Sequence, residues 1–546
     1  MNFIKSSLIC FLVFSLFYAE LSAQNDGGRL FGNLETNVSF YMRDSAIGAD
    51  NTPQYDNQLF GSDTWLTLNY SNWGFDFGVR FDMFNNSALL NPTGSYNDHG
   101  IGRWFIQRKI NDLTITGGYI YDQIGSGIIF RAYEERPLLI DNALIGLRLT
   151  YDIDENWSIK GFAGKQKRQF TQYESVIRGL SVDGFLQLGE NNSITLAPGL
   201  GVVSRGLDDA TMERLVNTIR FYTPKDREGM DPTYNTYAFS LYNLLSAGPI
   251  SWYVEAAYKT PELMYDPFAL REDGLGGTAQ GRLVQEAGTV FYSSLSYSQS
   301  GWGITLEGKR TDYFSFKTDP QLELNFGQIN FLPPMSRQNT YRLTSRYVPA
   351  TQELGEWAVQ LDVRYSPNRT WDFVANTSNI TDLDGNLFYR EFLLEAKYRY
   401  QRDWTLSVGL QRQEYDQDRF EGKPLAPMVK TLTPYAEFLY RFDRRNALKI
   451  EAQYMDTDQD FGSWIFLLAE YSIAPRWIFS ASAMYNVDPT MTDDLIYPTA
   501  SVAYNTGANR FSLSYVKQVE GVVCTGGICR LEPAFSGVRF TVNSNF

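Results

Sequence analysis

The chain has 546 residues, a formal charge of −14 and aromatic side chains at 15% of positions. Its acidity excludes a nucleic-acid partner, which needs clustered basic residues. A mean hydropathy of −0.30, with no apolar run of ~18 residues beyond the N-terminus, excludes membrane-spanning helices.

Residues 1–23 have the pattern of a secretory signal peptide. Lys5 supplies the positive start, Leu8 to Ala19 the apolar core, and Leu21-Ser22-Ala23 the cleavage site. A strand follows almost at once, with Leu30, Leu34, Val38 and Phe40 alternating with Phe31, Glu35, Asn37 and Ser39. This start leaves no room for an N-terminal plug domain, so a plugged, energy-coupled transporter is not expected. From there one unit repeats, predicting a single domain over residues 24–546. It consists of two strands alternating apolar and polar, joined by a short turn with Tyr before it and Trp or Phe after it.

Tyr70 to Trp73 is the first such hinge. Phe75, Phe77, Val79, Phe81 and Met83 then face one way, and Asp76, Arg80 and Asp82 the other. Further hinges run Tyr151 to Trp157, Tyr297 to Trp302, Tyr347 to Trp357, Tyr400 to Trp404, Tyr471 to Trp477 and Tyr504 to Phe511. Aromatics at one end of every hairpin suit a membrane interface. The alternate connections are longer, at 43–61, 85–100, 206–234, 261–285 and 312–339. Within 206–234, Met212, Leu215, Val216 and Ile219 have helical spacing and stop before Pro224. That helix either lies on the barrel rim or folds inward to narrow the pore.

Candidate chemistry is sparse. His99, the sole histidine, sits in the loop Asn97–Gly100 with no nucleophile motif near it, so no enzyme is expected. No cofactor fingerprint occurs. The stretch Gly125 to Arg136, running on to Asp141, carries Arg131, Glu134, Glu135 and Arg136. Its charges either brace the barrel through ion pairs or form a constriction that selects solutes. The polar face carries mixed charge. Arg342 and Arg346, then Asp362 and Arg364, then Glu391, Glu395, Lys397 and Arg399 are expected on three consecutive strands, beside Arg80 and Arg148. A wet lumen permits such charges, whereas lipid penalises a midplane Arg or Lys by ~2–4 kcal/mol. Asp456, Asp458 and Asp460 imitate the start of a calcium loop, but Gly462 is one place late and position 467 is Leu, not a closing glutamate. Cys524 and Cys529 form the expected loop disulfide of an exported protein, not a metal site.

Two resemblances follow from these residues. The final strand, with Gly537, Phe540, Val542 and a terminal Phe546, resembles the C-terminal insertion signal of bacterial outer-membrane barrels, from which Phe535 departs. The run Gly125 to Arg136, followed by Asp141 to Gly146, resembles an uncharacterised family of Bacteroidota outer-membrane barrels marked by GSG-[IL]-IFR-x-YEER and DNA-x-x-G. That resemblance implies a location and a fold, and no activity. More distantly, Gly146-Leu147-Arg148 resembles strands of porin-like and polymer-exporting barrels.

The expectation is one closed antiparallel transmembrane β-barrel of about 24 strands (22–26), with short periplasmic turns, long extracellular loops and both termini periplasmic in a Gram-negative outer membrane. Its partners would be outer-membrane lipid and a polar or charged solute passing a loop-constricted lumen, as in a porin or exporter. The alternative is a non-transporting scaffold or accessory of a secretion or surface-attachment assembly, whose extracellular loops bind a protein partner.

Overall fold

The computed structural model describes residues 28–546 apart from 89–93, 139, 273–275, 324, 491–494 and 526–527. The expected signal peptide, residues 1–23, lies outside the described residues. One antiparallel sheet of 24 strands closes on itself. Its first quarter is β1 (Arg29–Tyr41), β2 (Phe60–Asn72), β3 (Phe75–Ser87), β4 (Tyr96–Ile110), β5 (Leu113–Ile120) and β6 (Leu144–Asp152). β7 (Trp157–Arg168), β8 (Thr171–Gly184, continued by Leu186–Leu188), β9 (Ile194–Gly206), β10 (Asn235–Ala247), β11 (Ile250–Glu272) and β12 (Thr278–Gln299) follow. Next come β13 (Trp302–Asp312), β14 (Gly355–Tyr365), β15 (Trp371–Thr381), β16 (Leu387–Tyr400), β17 (Trp404–Tyr415) and β18 (Val429–Arg441). The last quarter is β19 (Asn446–Met455), β20 (Gly462–Ile473), β21 (Trp477–Pro489), β22 (Ile496–Thr506), β23 (Asn509–Gln518) and β24 (Phe535–Asn545).

Pairing of β1 with β24, from Asn33↔Asn545 to Tyr41↔Gly537, closes the ring. Closure leaves no open strand edge, which lipid would not tolerate. The terminal residue is part of the seal: Gly32 N donates to Phe546 O at 2.7 Å and Phe546 N to Gly32 O at 3.1 Å. A Cβ at residue 32 would stand 2.6 Å from the Phe546 ring, so glycine makes room for that aromatic.

Alternation sorts the side chains as a two-solvent wall requires. On β16, Phe392 and Leu394 are 48% and 44% exposed on the outer face, while Glu391 and Leu393 are buried inside. Six of the seven expected hinges occur as short turns. Two of them, Trp73-Gly74 and Ser300-Gly301, hold both residues at positive φ, the tight turn that matches strand twist. Exposed Trp73, Tyr151, Trp302, Tyr400 and Trp477 mark the short-turn end as an aromatic girdle.

Three expectations need correction. Tyr347 to Trp357 is not a hinge and no strand precedes it; residues 313–354 form one inward connection, and the hinge in that part of the chain is Tyr365 to Trp371. The loop expected over 85–100 is shorter, because β3 and β4 run on past the membrane edge, and His99 is an exposed residue of β4 paired with Met83. The loop expected over 261–285 is largely sheet. β11 and β12 are 23 and 22 residues long, against ~9–11 needed to span a bilayer, so this hairpin projects roughly 30–40 Å beyond it. The ladder continues through register shifts at Lys259/Glu262 and Asp266/Leu270, next to Pro261 and Pro267, where bulges absorb residues that cannot donate to it.

The expected helix is α1 (Asp209–Arg220), capped by the Asp208 carboxylate, which accepts from Thr211 N at 3.0 Å. Its face of Met212, Leu215 and Ile219 packs with Leu263 and Leu283 of the projecting hairpin. The helix therefore stands at the rim rather than inside the pore.

Candidate functional site: the lumen plug

Two connections at the long-loop end fold into the barrel, residues 121–143 between β5 and β6 and residues 313–354 between β13 and β14. The second crosses the lumen. Gln166 of β7 donates to Gln328 O at 2.6 Å, and Leu343 N donates to Gln453 Oε1 of β19 at 2.7 Å. Those strands stand halfway around the ring from each other. Together the two segments form a plug made from the barrel's own loops.

The first segment is built on glycine. Gly125 and Gly127 hold φ of +55° and +101°, and a Cβ at residue 125 would meet Glu255 Oε1 at 2.8 Å. The turn thus drops onto the Glu255 carboxylate, which takes bonds from Ser126 N (2.9 Å), Ser126 Oγ (2.6 Å) and Tyr253 OH (2.6 Å). Ile128, Ile129 and Phe130 then bury among Phe162, Phe314 and Phe316. The barrel's apolar core therefore lies between plug and wall, inside the ring.

The charges cross-brace plug and wall. Arg80 is 2% exposed; its fork binds Asp82 at 2.6 and 2.8 Å, Glu134 at 2.6 Å and Asp141 at 3.0 Å. Lys167 of β7 binds Asp141 as well, and Tyr121 OH donates to it at 2.7 Å. Burial alone would raise the Asp141 carboxyl, but Lys167 and Arg80 hold it below its ordinary value. Arg136 bridges Glu134 at 3.0 Å and Glu35 of β1 at 2.5 Å. Arg131 lies between the rings of Tyr133 and Phe331, 4.4 and 4.1 Å from their centroids. Glu135 makes no ion pair among the described residues. Arg148 and Lys160 hold Asp122, at the start of the segment, at 3.0 and 2.6 Å. These ion pairs tie the 121–143 segment to β1, β3, β6 and β7.

The second segment is held mainly through its backbone. Arg205 donates to Lys317 O at 2.8 Å, Ser175 to Thr318 O at 2.6 Å and Lys309 to Pro333 O at 2.5 Å; Lys259 donates to Ser315 O. Glu262 bridges Lys259 (2.6 Å) and Arg205 (2.7 Å), and Glu356 pairs with Lys309 at 2.7 Å, all of them buried. The two segments join directly: Arg131 N donates to Ile329 O and Phe331 N to Gly127 O, each at 2.9 Å. Arg214 of α1 reaches Asp319 at 2.6 Å and so ties the rim helix to the plug.

Arg342 and Arg346 belong to this segment and not to a wall strand. With Lys423, Asp460, Trp464 and Tyr497 they line a cavity of about 720 Å³ at the long-loop end. Asp460 accepts from Tyr347 OH at 2.9 Å and Lys423 at 3.1 Å, with Arg346 at 3.8 Å. Against the upward push of burial, Gln417, Arg346 and Lys423 hold its carboxyl below the ordinary value. Asp456 instead accepts from Tyr454 OH at 3.2 Å, and Asp458 is exposed. Among the described residues no group of His, Cys, Asp or Glu converges to hold a metal. Asp362 and Arg364 are on β14 and Glu391, Glu395, Lys397 and Arg399 on β16, wall strands separated by β15 and not consecutive as expected. Arg364 pairs with Asp362 at 2.9 Å, Arg399 with Asp372, and Tyr435 OH donates to Glu395 at 2.8 Å. Cys524 faces Cys529 in the register of a short hairpin, Gly521–Thr525 with Ile528–Glu532; their side chains lie outside the described ones, as does any bond between them.

The wall partners Lys167, Arg205, Glu255, Glu262 and Glu356 were not singled out in the sequence, and Glu35 and Asp82 were read there only through strand alternation. Their signal was the same inward phase that identified Arg80, but nothing local marks which inward charge meets a plug.

An apolar outer belt, a charged inner wall and closure without an edge define a transmembrane β-barrel of the outer-membrane type. The chain belongs to a family of unknown function, DUF6029, which it matches over residues 3–546. No curated protein matches it. Among solved structures, the siderophore receptor PirA from Pseudomonas aeruginosa is similar at a TM-score of 0.43 and 9% identity, over 96% of this chain and 81% of that one. The ferric-catecholate import receptor Fiu from E. coli K12 gives 0.40 and 11%, over 96% and 82%. A variant of the Rh. blastica porin gives 0.27 and 12%, over 59% and 94%.

Proposed function

We propose that the protein is a channel or exporter of a Gram-negative outer membrane, passing polar or charged solutes, whose lumen its own 313–354 segment closes at rest. Its long loops face outward, and both termini lie in the periplasm. One observation carries this reading: the plug spans opposite walls, yet much of its attachment is single hydrogen bonds from wall side chains to backbone, each worth only ~0.5–1.5 kcal/mol net, or ~1.5–3 kcal/mol where the donor is a charged Lys or Arg. Such a segment is held, but it is not welded.

The test is single-channel conductance of residues 24–546 in planar bilayers, beside a variant with residues 318–350 replaced by a short Gly-Ser linker. Small or rare steps from the full chain and large stable steps from the variant are expected. Silence from both, with folded barrels demonstrated, eliminates the channel. A second reading, a scaffold for a surface assembly, is favoured by the projecting β11–β12 hairpin with α1 packed on it. Crosslinking in intact cells would then recover a stoichiometric partner.

A further inference from the structure

The plug is fastened unevenly. Toward β7 to β13, wall side chains, several of them ion-paired with one another, donate to its backbone. Toward β15 to β18 the wall instead presents polar atoms that the protein does not pair. Register places Ser378, Glu391, Gln413 and Thr431 side by side on four successive strands, with Asn376, Leu393, Gln411 and Thr433 in the next inward row. The amides of Gln411 and Gln413 donate to Thr344 O (3.0 Å) and Tyr347 O (3.3 Å) of the plug. Their oxygens, with Asn376 Oδ1, Ser378 Oγ, Thr431 Oγ1 and Thr433 Oγ1, have no protein partner. All six residues are at most 3% exposed. Buried polar atoms are almost always hydrogen-bonded, so this seam calls for something that donates or carries positive charge. The three amide oxygens can only accept.

Acid continues below it. Glu395 lies one inward step nearer the short turns than Leu393, and Glu437 and Glu451 face each other another step on. These three and Glu391 enter no ion pair among the described residues. The neighbouring cations are mostly engaged: Arg399 with Asp372, and Lys449 with Glu470 at 4.0 Å. That leaves Lys397 in the wall and Arg337 in the plug facing four carboxylates. The cavity above is balanced, with Arg342, Arg346 and Lys423 against Glu421, Asp460 and Glu520. Charge selection therefore falls to the seam.

We infer that the solute path runs between the plug and the inner wall of β15 to β19, and that it takes hydrated cations. Oxygen ligands alone, amide and hydroxyl above and carboxylate below, suit hard cations. Among the described residues no group of carboxylates there converges to chelate a metal, so the ions keep their water. This rests on the channel reading above and names its solute class.

The experiment is the reversal potential in a tenfold potassium chloride gradient, for residues 24–546, for the linker variant, and for each carrying E395Q, E437Q and E451Q. Glutamine keeps size and shape, and heat-dependent gel mobility verifies folding. Potassium preferred over chloride, with the permeability ratio falling at least threefold in the triple variant, is the expected result. Chloride preference, or a ratio unmoved by the triple variant, overturns the cation path and leaves the channel standing. No current from any chain overturns both.

Discussion

Replacing Arg80 with alanine should release the 121–143 segment. The guanidinium is 2% exposed and touches three carboxylates, Asp82, Glu134 and Asp141. Removing one partner of a buried ion pair costs about 3–5 kcal/mol, because the other charge is left bare. Here the lower figure applies, since Asp141 keeps Lys167 and Tyr121 and Glu134 keeps Arg136, and the loss falls mainly on Asp82. About 3 kcal/mol is roughly two decades in the population of the released state. Limited trypsinolysis of the refolded barrel reads that population, provided release is fast relative to cleavage. Cleavage after Arg131 should accelerate ~100-fold in R80A. Adding Asp82→Asn removes the bare carboxylate and should recover part of the loss. An R80A chain cut no faster than the parent would refute the idea that this arginine holds the plug.

Three further outcomes follow from the same geometry. Gly146→Val should cripple barrel folding, because a Cβ there would stand 2.0 Å from Ala163 O across the β6–β7 pair, overpacking that costs ~1–3 kcal/mol or more; heat-dependent gel mobility reports it. The plug's protease resistance should survive mild acid. Asp141 has a folded-state value below its ordinary 3.8, so its stabilisation is complete above that value and fades only as pH falls through the lower one. A loss of resistance already at about pH 6 would contradict this. Cys524 and Cys529, cross-strand partners in register, should form a disulfide, and alkylation with and without reductant, read by mass, decides it.

Much of the barrel was legible because lipid and water impose opposite demands on adjacent residues. Phe392 and Leu394 against Glu391 and Glu395 reveal a two-sided wall before any coordinates. The same rule misled at Tyr341 to Tyr347. There Leu343 and Tyr347 alternate with Arg342 and Arg346 because they bury against an apolar cluster inside the ring, while the arginines face a cavity. Alternation reports two environments, and a plug provides them as well as a bilayer does. β11 and β12 failed in the opposite sense. Past the membrane their outer face no longer needs to be greasy, and the strand signal faded though the ladder continued. The brace at Arg131 to Asp141 was legible as charge but not as contact. Arg80 and Glu134 are 54 residues apart, and only closure of the ring brings β3 to the segment after β5.

The 313–354 segment of the plug leaves the wall and returns to it at one place. Asp312 and Gly355, the residues that bound it, are register partners on neighbouring strands. Both of its ends thus leave the wall at the same point of the same rim. A segment so attached has no free terminus to be drawn through the pore. On the gating reading proposed above, it would swing about the β13–β14 edge like a door on one post, opening first on the far side, where Leu343 meets Gln453.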